Sequence, residues 1–158
     1  MPDGGRRTED GEETEEEMKP GFLGKLPSSV GLPKSYFERR GCFLDCRGPL
    51  VISGSSRWGY FVTVLTESHD ISQWPQMKPV VPYGVTVGDE AWIGSCSLLA
   101  GCTIGAGAIV AAGSVVRGQV IEPGIMVAGN PARVIARWDG TQWLYETAER
   151  CGFFRDLF

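Results

Sequence analysis

Residues 84–116 read GVTVGDEAWIGSCSLLAGCTIGAGAIVAAGSVV, and this stretch decides the fold. Apolar residues recur in it six positions apart: Val87, Ile93, Leu99, and then Ile104, Val110, Val116. A spacing of six does not hold residues on one face of a helix with 3.6 residues per turn. It is typical of a parallel β-helix, in which each six-residue unit makes one short strand and one turn. A second set, four positions after an apolar residue, is small: Ala91, Ser97, Ala108 and Ser114.

The same spacing extends upstream through Ile52, Trp58 and Val64, and predicts an all-β, single-stranded parallel coil. The sequence places Val64 and Ser68 as the last inward-facing pair before an extruded loop at residues 69–86. The loop follows from the 23 residues between Val64 and Val87. Only five residues separate Leu99 from Ile104, and the register loosens after Val116. Extruded loops on a rigid scaffold commonly carry function.

Four segments are predicted along the 158 residues. Residues 1–20 form a flexible acidic tail, because the first 17 residues carry eight acids, two bases and almost no apolar surface. Residues 21–45 form an irregular segment or the first coil, and residues 46–137 form the β-helix. In residues 138–158 the spacing changes to that of a helix, so a short C-terminal helix is expected over 141–150, followed by a tail.

Composition narrows the functional classes. No basic stripe with interleaved aromatics is present, so a nucleic-acid partner is not expected. No apolar run approaches the roughly 18 residues of a membrane span, and no secretory leader is recognisable, so a cytoplasmic location is expected. Five cysteines without paired ligand spacing do not predict a metal site.

The repeat stretch, followed by VAGNPARVI at 127–135, resembles the hexapeptide-repeat acyltransferases. Within them it is similar to the maltose, galactoside and colanic-acid-type O-acetyltransferases. The upstream segment TESHD at 66–70 is most like the colanic-acid type. The resemblance covers roughly residues 41–137. It implies a left-handed β-helix, a homotrimer with sites between subunits, and acetyl-CoA as the donor co-substrate without a metal.

The resemblance also implies roles for particular residues. His69, the only histidine, corresponds to the general base that deprotonates an acceptor hydroxyl. Imidazole suits that role because it exchanges protons near neutral pH. Asp45 and Asp70 are candidates for acceptor contacts, although Asp70 and Glu67 could instead orient the imidazole. The implied coenzyme-binding residues are Trp92, Gly94, Ser95, Ala112, Arg117 and Arg133.

The implied reaction is transfer of an acetyl group from acetyl-CoA to a hydroxyl of a sugar or polysaccharide precursor. One alternative is a xenobiotic acetyltransferase with the same fold, and another is a non-catalytic trimeric scaffold. A zinc enzyme of the γ-carbonic-anhydrase type needs three histidines and is disfavoured by the single one. The acceptor itself is not specified by the sequence.

Overall fold

The structure is a computed structural model that describes residues 21–75 and 78–146. The predicted acidic tail at residues 1–20 and the last residues of the predicted helix, 147–150, lie outside the described residues. The elements in chain order are β1 Phe22–Leu23, α1 Lys34–Glu38, β2 Phe43–Asp45, β3 Leu50–Ile52, β4 Arg57–Trp58, β5 Thr63–Leu65, β6 Glu67–Asp70, a 3₁₀ turn Ile71–Gln73, β7 Lys78–Pro82, β8 Val85–Val87, β9 Trp92–Ile93, β10 Leu98–Ala100, β11 Thr103–Ile104, β12 Ile109–Val110, β13 Val115–Arg117, β14 Val120–Ile121, β15 Ile125–Gly129, β16 Ala132–Trp138 and β17 Trp143–Tyr145.

Three parallel sheets form the faces of a triangular coil. Face A contains β1, β2, β5, β10 and β13, and face B contains β3, β8, β11 and β14. Face C contains β4, β9, β12 and β15, and is extended by the antiparallel strands β16 and β17. The chain visits A, B and C in turn, so each coil pairs its backbone with the coil before and after it.

The six-residue spacing is confirmed as the rule that fills the core. The apolar residues stack in one column per face, and nearly all are less than 5% exposed. The columns are Leu44, Val64, Leu99 and Val116 on face A, Ile52, Val87, Ile104 and Ile121 on face B, and Trp58, Ile93, Val110 and Val127 on face C.

All departures from a step of six fall at the corner between faces A and B. The extruded segment leaves there, between Val64 and Val87, and the five-residue step from Leu99 to Ile104 lies there too. The loosened register after Val116 is a second five-residue step at the same corner, ending at Ile121. The other two corners keep the regular step of six, so all irregular steps lie along one edge of the coil.

The predicted C-terminal helix is wrong where residues 141–146 can be compared with it. Residues 143–145 form β17, which pairs antiparallel with β16. The apolar spacing over residues 141–150 predicted a helix, but β16 offers a strand edge at the end of face C, with which residues 143–145 pair. Pairing with that edge satisfies the backbone of β17 and closes the end of the sheet.

A substitution at Ile104 tests the assignment of the buried column on face B, because this side chain is fully buried there. We expect Ile104→Ala to lower the free energy of unfolding by about 2–5 kcal/mol, since it leaves a cavity between two stacked coils. Val120→Ala is the matched control, because Val120 lies in the next coil of the same face and is 68% exposed. Denaturant unfolding of both variants measures the difference; equal losses would contradict the assignment of the column.

Candidate functional site

His69 lies on a β-hairpin that projects from the corner between faces A and B. Strand β6 pairs antiparallel with β7, and His69 is opposite Val80. His69 is exposed. The expectation that it is the first residue outside the coil is corrected: the chain leaves two residues earlier, so His69 is the third residue of a paired strand.

Thr66 explains the early exit from the coil. Its side chain is fully buried, and its hydroxyl donates to the Asp45 carbonyl at 3.0 Å and accepts from the Gly48 N–H at 2.9 Å. These bonds hold Thr66 against the preceding coil, and strand β5 of face A ends just before it. Ser68, which was expected to point inward, is instead exposed on the hairpin.

An ion-pair cluster occupies the base of the hairpin. Arg47 lies with Nε 2.9 Å from Oδ1 and Nη2 3.1 Å from Oδ2 of Asp45. The same Nε is 2.9 Å from Oε1 of Glu67, the first residue of β6. The sequence did not single out Arg47 as a functional residue. Its role depends on a contact with Glu67, 20 positions away, for which the sequence carries no periodic signal.

Asp45 is the most buried charged group among the described residues. Burial by itself raises the pKa of this carboxyl, but hydrogen bonds from Arg47 and its positive charge outweigh burial and hold the pKa below its usual value. The side chain is 1% exposed. In this structure Asp45 anchors Arg47, and a contact of Asp45 with an acceptor stays a prediction.

Asp70 closes the end of β6. Its Oδ1 accepts a hydrogen bond from the Ser72 N–H at 2.9 Å, and hydrogen bonds from Ser72 lower the pKa of the carboxyl. The side chain begins the 3₁₀ turn Ile71–Gln73. Asp70 is therefore part of a turn, and its contact with an acceptor or with the imidazole stays a prediction.

Four of the predicted coenzyme-binding residues line one cleft of about 350 Å³ on face C, at its corner with face A. Trp92 is 45% exposed there, and Ser95 accepts a hydrogen bond from the Tyr60 N–H at 3.0 Å. Seven further lining residues were not predicted. The predicted residues in the cleft are Trp92, Gly94, Ser95 and Ala112, and those not predicted include Tyr60, Ile109, Met126 and Tyr145.

Gly94 is required by the packing of the coils. A Cβ at this position would lie 2.4 Å from the Ala112 nitrogen and 2.7 Å from the Val110 carbonyl oxygen. The next coil therefore passes directly over Gly94, and any side chain would force the two coils apart. This close approach keeps the floor of the cleft flat between Trp92 and Ala112.

Arg117 and Arg133 lie outside the set of residues that line the cleft. Arg117 ends β13 at the corner between faces A and B, the corner of the hairpin. Arg133 is on β16 opposite Ala128, and its Nη1 donates to the Ala132 carbonyl at 3.0 Å. A contact of either guanidinium with a coenzyme phosphate stays a prediction.

His69 and the cleft occupy opposite edges of face A. The chain enters face A from the cleft corner and leaves it at the hairpin corner, with β5 between them. One copy of the chain therefore does not bring His69 to Trp92 and Ser95.

Three buried or half-buried cysteine thiols, Cys42, Cys46 and Cys102, are poor nucleophiles. Burial raises the pKa of Cys46 to about 11 and that of Cys102 to about 12, and it also raises the pKa of Cys42. A thiol in this state holds little thiolate at neutral pH. Among the described residues no group of three or more potential metal ligands is present. No helix in that part of the chain is long and apolar enough to cross a membrane.

Comparison with known proteins supports the fold. Residues 84–118 match the family model described as bacterial transferase hexapeptide (six repeats). A maltose O-acetyltransferase from Clostridium difficile 630 is similar at 31% identity and a TM-score of 0.50, over 56% of this chain and 49% of that one. The chain thus spans about half the length of that relative. The search of curated proteins found no match.

Two further solved structures are similar. A hexapeptide-repeat-containing acetyltransferase from Vibrio cholerae O1 biovar eltor, complexed with acetyl-CoA, is 26% identical with a TM-score of 0.46, over 60% of this chain and 56% of that one. An N-acyltransferase from Bacillus cereus, complexed with a dTDP-amino sugar and coenzyme A, is 18% identical with a TM-score of 0.49, over 68% and 58%.

Residues 84–118 carry the hexapeptide repeats of bacterial transferases, and the fold is a left-handed β-helix. The resemblance to hexapeptide-repeat acyltransferases, and within them to the maltose O-acetyltransferases, is confirmed.

Because the pKa of Asp45 is lowered in the folded protein, the free energy of unfolding should depend on pH through this carboxyl. A carboxyl with a lowered pKa in the folded state stabilises the fold above its unfolded pKa, and the stabilisation is lost as the pH falls through the folded value. We expect Asp45→Asn to be destabilised at pH 7, and the difference from wild type to shrink below the ordinary value of 3.8.

Urea unfolding at pH 7 and at acid pH measures this difference. Asp89→Asn is the control, since Asp89 is an exposed carboxylate that accepts from the Ser53 hydroxyl. A difference between wild type and Asp45→Asn that is constant with pH would show that the charge of Asp45 does not stabilise the fold.

Proposed function

We propose that this protein is an acetyl-CoA-dependent O-acetyltransferase that acetylates a hydroxyl of a sugar or polysaccharide precursor, in a site shared by two copies of the chain. The observation that carries the proposal is the placement of His69 and the cleft at opposite edges of face A. Around a closed ring of copies, the hairpin of one copy can face the cleft of the next. A homotrimer is the assembly that we propose.

The cleft has the chemistry to hold the pantetheine arm of acetyl-CoA. Trp92, Ile109 and Met126 are opposite one another in successive strands of face C, and Tyr145 continues the same column on β17. At about 4.8 Å per strand, the column from Trp92 to Tyr145 is about 19 Å long. The extended, largely apolar pantetheine arm can lie along this column, with the amide groups of the arm directed to the protein backbone at Ser95 and Ala112.

The similarity to a maltose O-acetyltransferase supports transfer of an acetyl group to a sugar hydroxyl. Arg117 and Arg133 are the cations that we propose for the phosphates of the coenzyme, because guanidinium groups bind phosphate in a forked geometry. Arg117 stands at the hairpin corner, so it would act together with the His69 of its own copy on a coenzyme held by the next copy.

The reaction needs one base and no covalent enzyme intermediate. The neutral imidazole of His69 accepts the proton of the acceptor hydroxyl as that oxygen attacks the carbonyl carbon of the thioester. The tetrahedral intermediate then breaks its C–S bond, and the proton passes from the imidazolium to the departing sulfur. The raised pKa values of Cys42, Cys46 and Cys102 fit a direct transfer, because none of these thiols is prepared to carry the acyl group.

His69→Ala is expected to reduce acetyl transfer to a sugar acceptor by at least about a hundredfold, the lower range of a positioned general base. A thiol assay of CoA release with a panel of sugar hydroxyls, drug hydroxyls and amines measures transfer. Wild-type activity that prefers a drug acceptor would identify a xenobiotic acetyltransferase. No turnover with any acceptor, together with no binding of acetyl-CoA, would indicate a scaffold.

A mixing experiment tests the shared site. Ala112→Trp fills the cleft but leaves His69 in place, whereas His69→Ala leaves the cleft open. When the two inactive variants are unfolded and refolded together, about a quarter of the sites in a closed ring receive both intact halves. We expect about a quarter of wild-type activity from an equal mixture, while either variant refolded alone stays inactive.

The mass of the assembly provides the control for the mixing experiment. Light scattering should give about three times 17.2 kDa for wild type and for both variants. An inactive mixture of correctly sized oligomers would contradict the shared site, and an active monomer would contradict it independently.

A further inference from the structure

We propose that Arg47 is a positioning residue for the reaction: it clamps the hairpin that carries His69 to the rigid coil, through Asp45 on one side and Glu67 on the other. The inference rests on the proposed function for its kinetic consequence. The clamp itself rests only on the geometry of the described residues.

The coil side of the clamp is fixed. Asp45 ends β2 inside face A, is 1% exposed, and faces both Nε and Nη2 of Arg47. The backbone N–H of Arg47 also donates to Oδ1 of Asp45 at 3.2 Å. The guanidinium makes two of these three bonds, and such charge-assisted forked pairs are strong, so its orientation is restricted.

The hairpin side of the clamp is a single residue held at two points. The carboxylate of Glu67 lies 2.9 Å from Nε of Arg47, and its side chain is 12% exposed. The carbonyl of Glu67 accepts a hydrogen bond from the Tyr83 hydroxyl at 3.0 Å. Tyr83 stands where the chain re-enters the coil, and its N–H donates to the Thr66 carbonyl at 2.9 Å. Both strands of the hairpin are therefore secured at their base.

The clamp controls the direction in which His69 points. His69 is two residues beyond Glu67 on β6, and alternate residues of a strand lie on the same side. A two-stranded hairpin by itself is only marginally ordered in water. A rotation at Glu67 would carry His69 with it, and small misplacements of a catalytic group lower the rate steeply. Glu67 is paired with Arg47 through Oε1, and its orientation of the imidazole stays a prediction.

The test removes the hairpin side of the clamp and leaves the coil side intact. Glu67→Ala should lower kcat about tenfold with little change in the KM for acetyl-CoA, because His69 is misplaced while the cleft is unaltered. Hydrogen exchange at the amides of residues 67–70 should become faster. Glu67→Gln keeps a neutral hydrogen-bonding group, so its effects should have the same direction and be smaller.

Two further variants sharpen the result. Arg47→Lys keeps the positive charge but lacks the planar fork, so it should also speed exchange in the hairpin and lower kcat. Glu38→Gln is the matched control, because Glu38 forms a surface ion pair with Lys34 at 3.9 Å within α1. It should leave kcat, KM and exchange in residues 67–70 at wild-type values.

The two readouts separate the clamp from the proposed function. Wild-type exchange rates in the hairpin of both Glu67→Ala and Arg47→Lys would overturn the clamp, whatever the activity. Faster exchange with an unchanged kcat would overturn the positioning role. If the wild type transfers no acetyl group to any acceptor, the proposed function fails, and the exchange measurement still decides whether Arg47 holds the hairpin.

Discussion

Backbone pairing between successive coils is the constraint on which the structure depends. Each strand is only two or three residues long over most of the coil, so no strand is stable without the ones beside it. The pairing fixes the register, and the register stacks one apolar residue of each coil above the last. It also brings the backbone of one coil within 2.4 Å of where a Cβ of Gly94 would stand, which is why bulk is forbidden at the turns.

This constraint leaves few places where the chain can vary. Two of the three corners keep the step of six, and the corner between faces A and B takes up every insertion and deletion. The hairpin, the two shortened steps and Arg117 all gather at that edge. The opposite edge of face A stays regular, and its flat surface forms the cleft around Trp92 and Ala112. Because stacking requires a constant step within the faces, insertions and deletions are confined to the hairpin edge of face A, and the cleft edge stays regular.

The hairpin raises a problem that the coil does not have, since it has only two strands and no core of its own. The structure secures it with polar contacts at its base: the buried Thr66 hydroxyl, the Tyr83 hydroxyl and the guanidinium of Arg47. A buried ion pair is not a strong source of stability, because desolvation costs offset most of the attraction. Asp45 and Arg47 are better understood as fixing one geometry.

The sequence was sufficient to predict the coil, its core columns and the interval between Val64 and Val87 in which the chain leaves the coil, because a spacing of six is a local property of the residue types. The family resemblance named Trp92, Gly94, Ser95 and Ala112, and the structure places them around one cleft. Tertiary structure alone decided the rest. The helical spacing around Trp143 gave way to a strand because β16 offered an unpaired edge. Asp45 is buried and paired with Arg47, Ser68 is exposed because the chain leaves the coil after Thr66, and Glu67 contacts Arg47 20 positions away. These outcomes depend on contacts between strands and charged groups that are distant in the sequence, and the spacing of neighbouring residues does not predict such contacts.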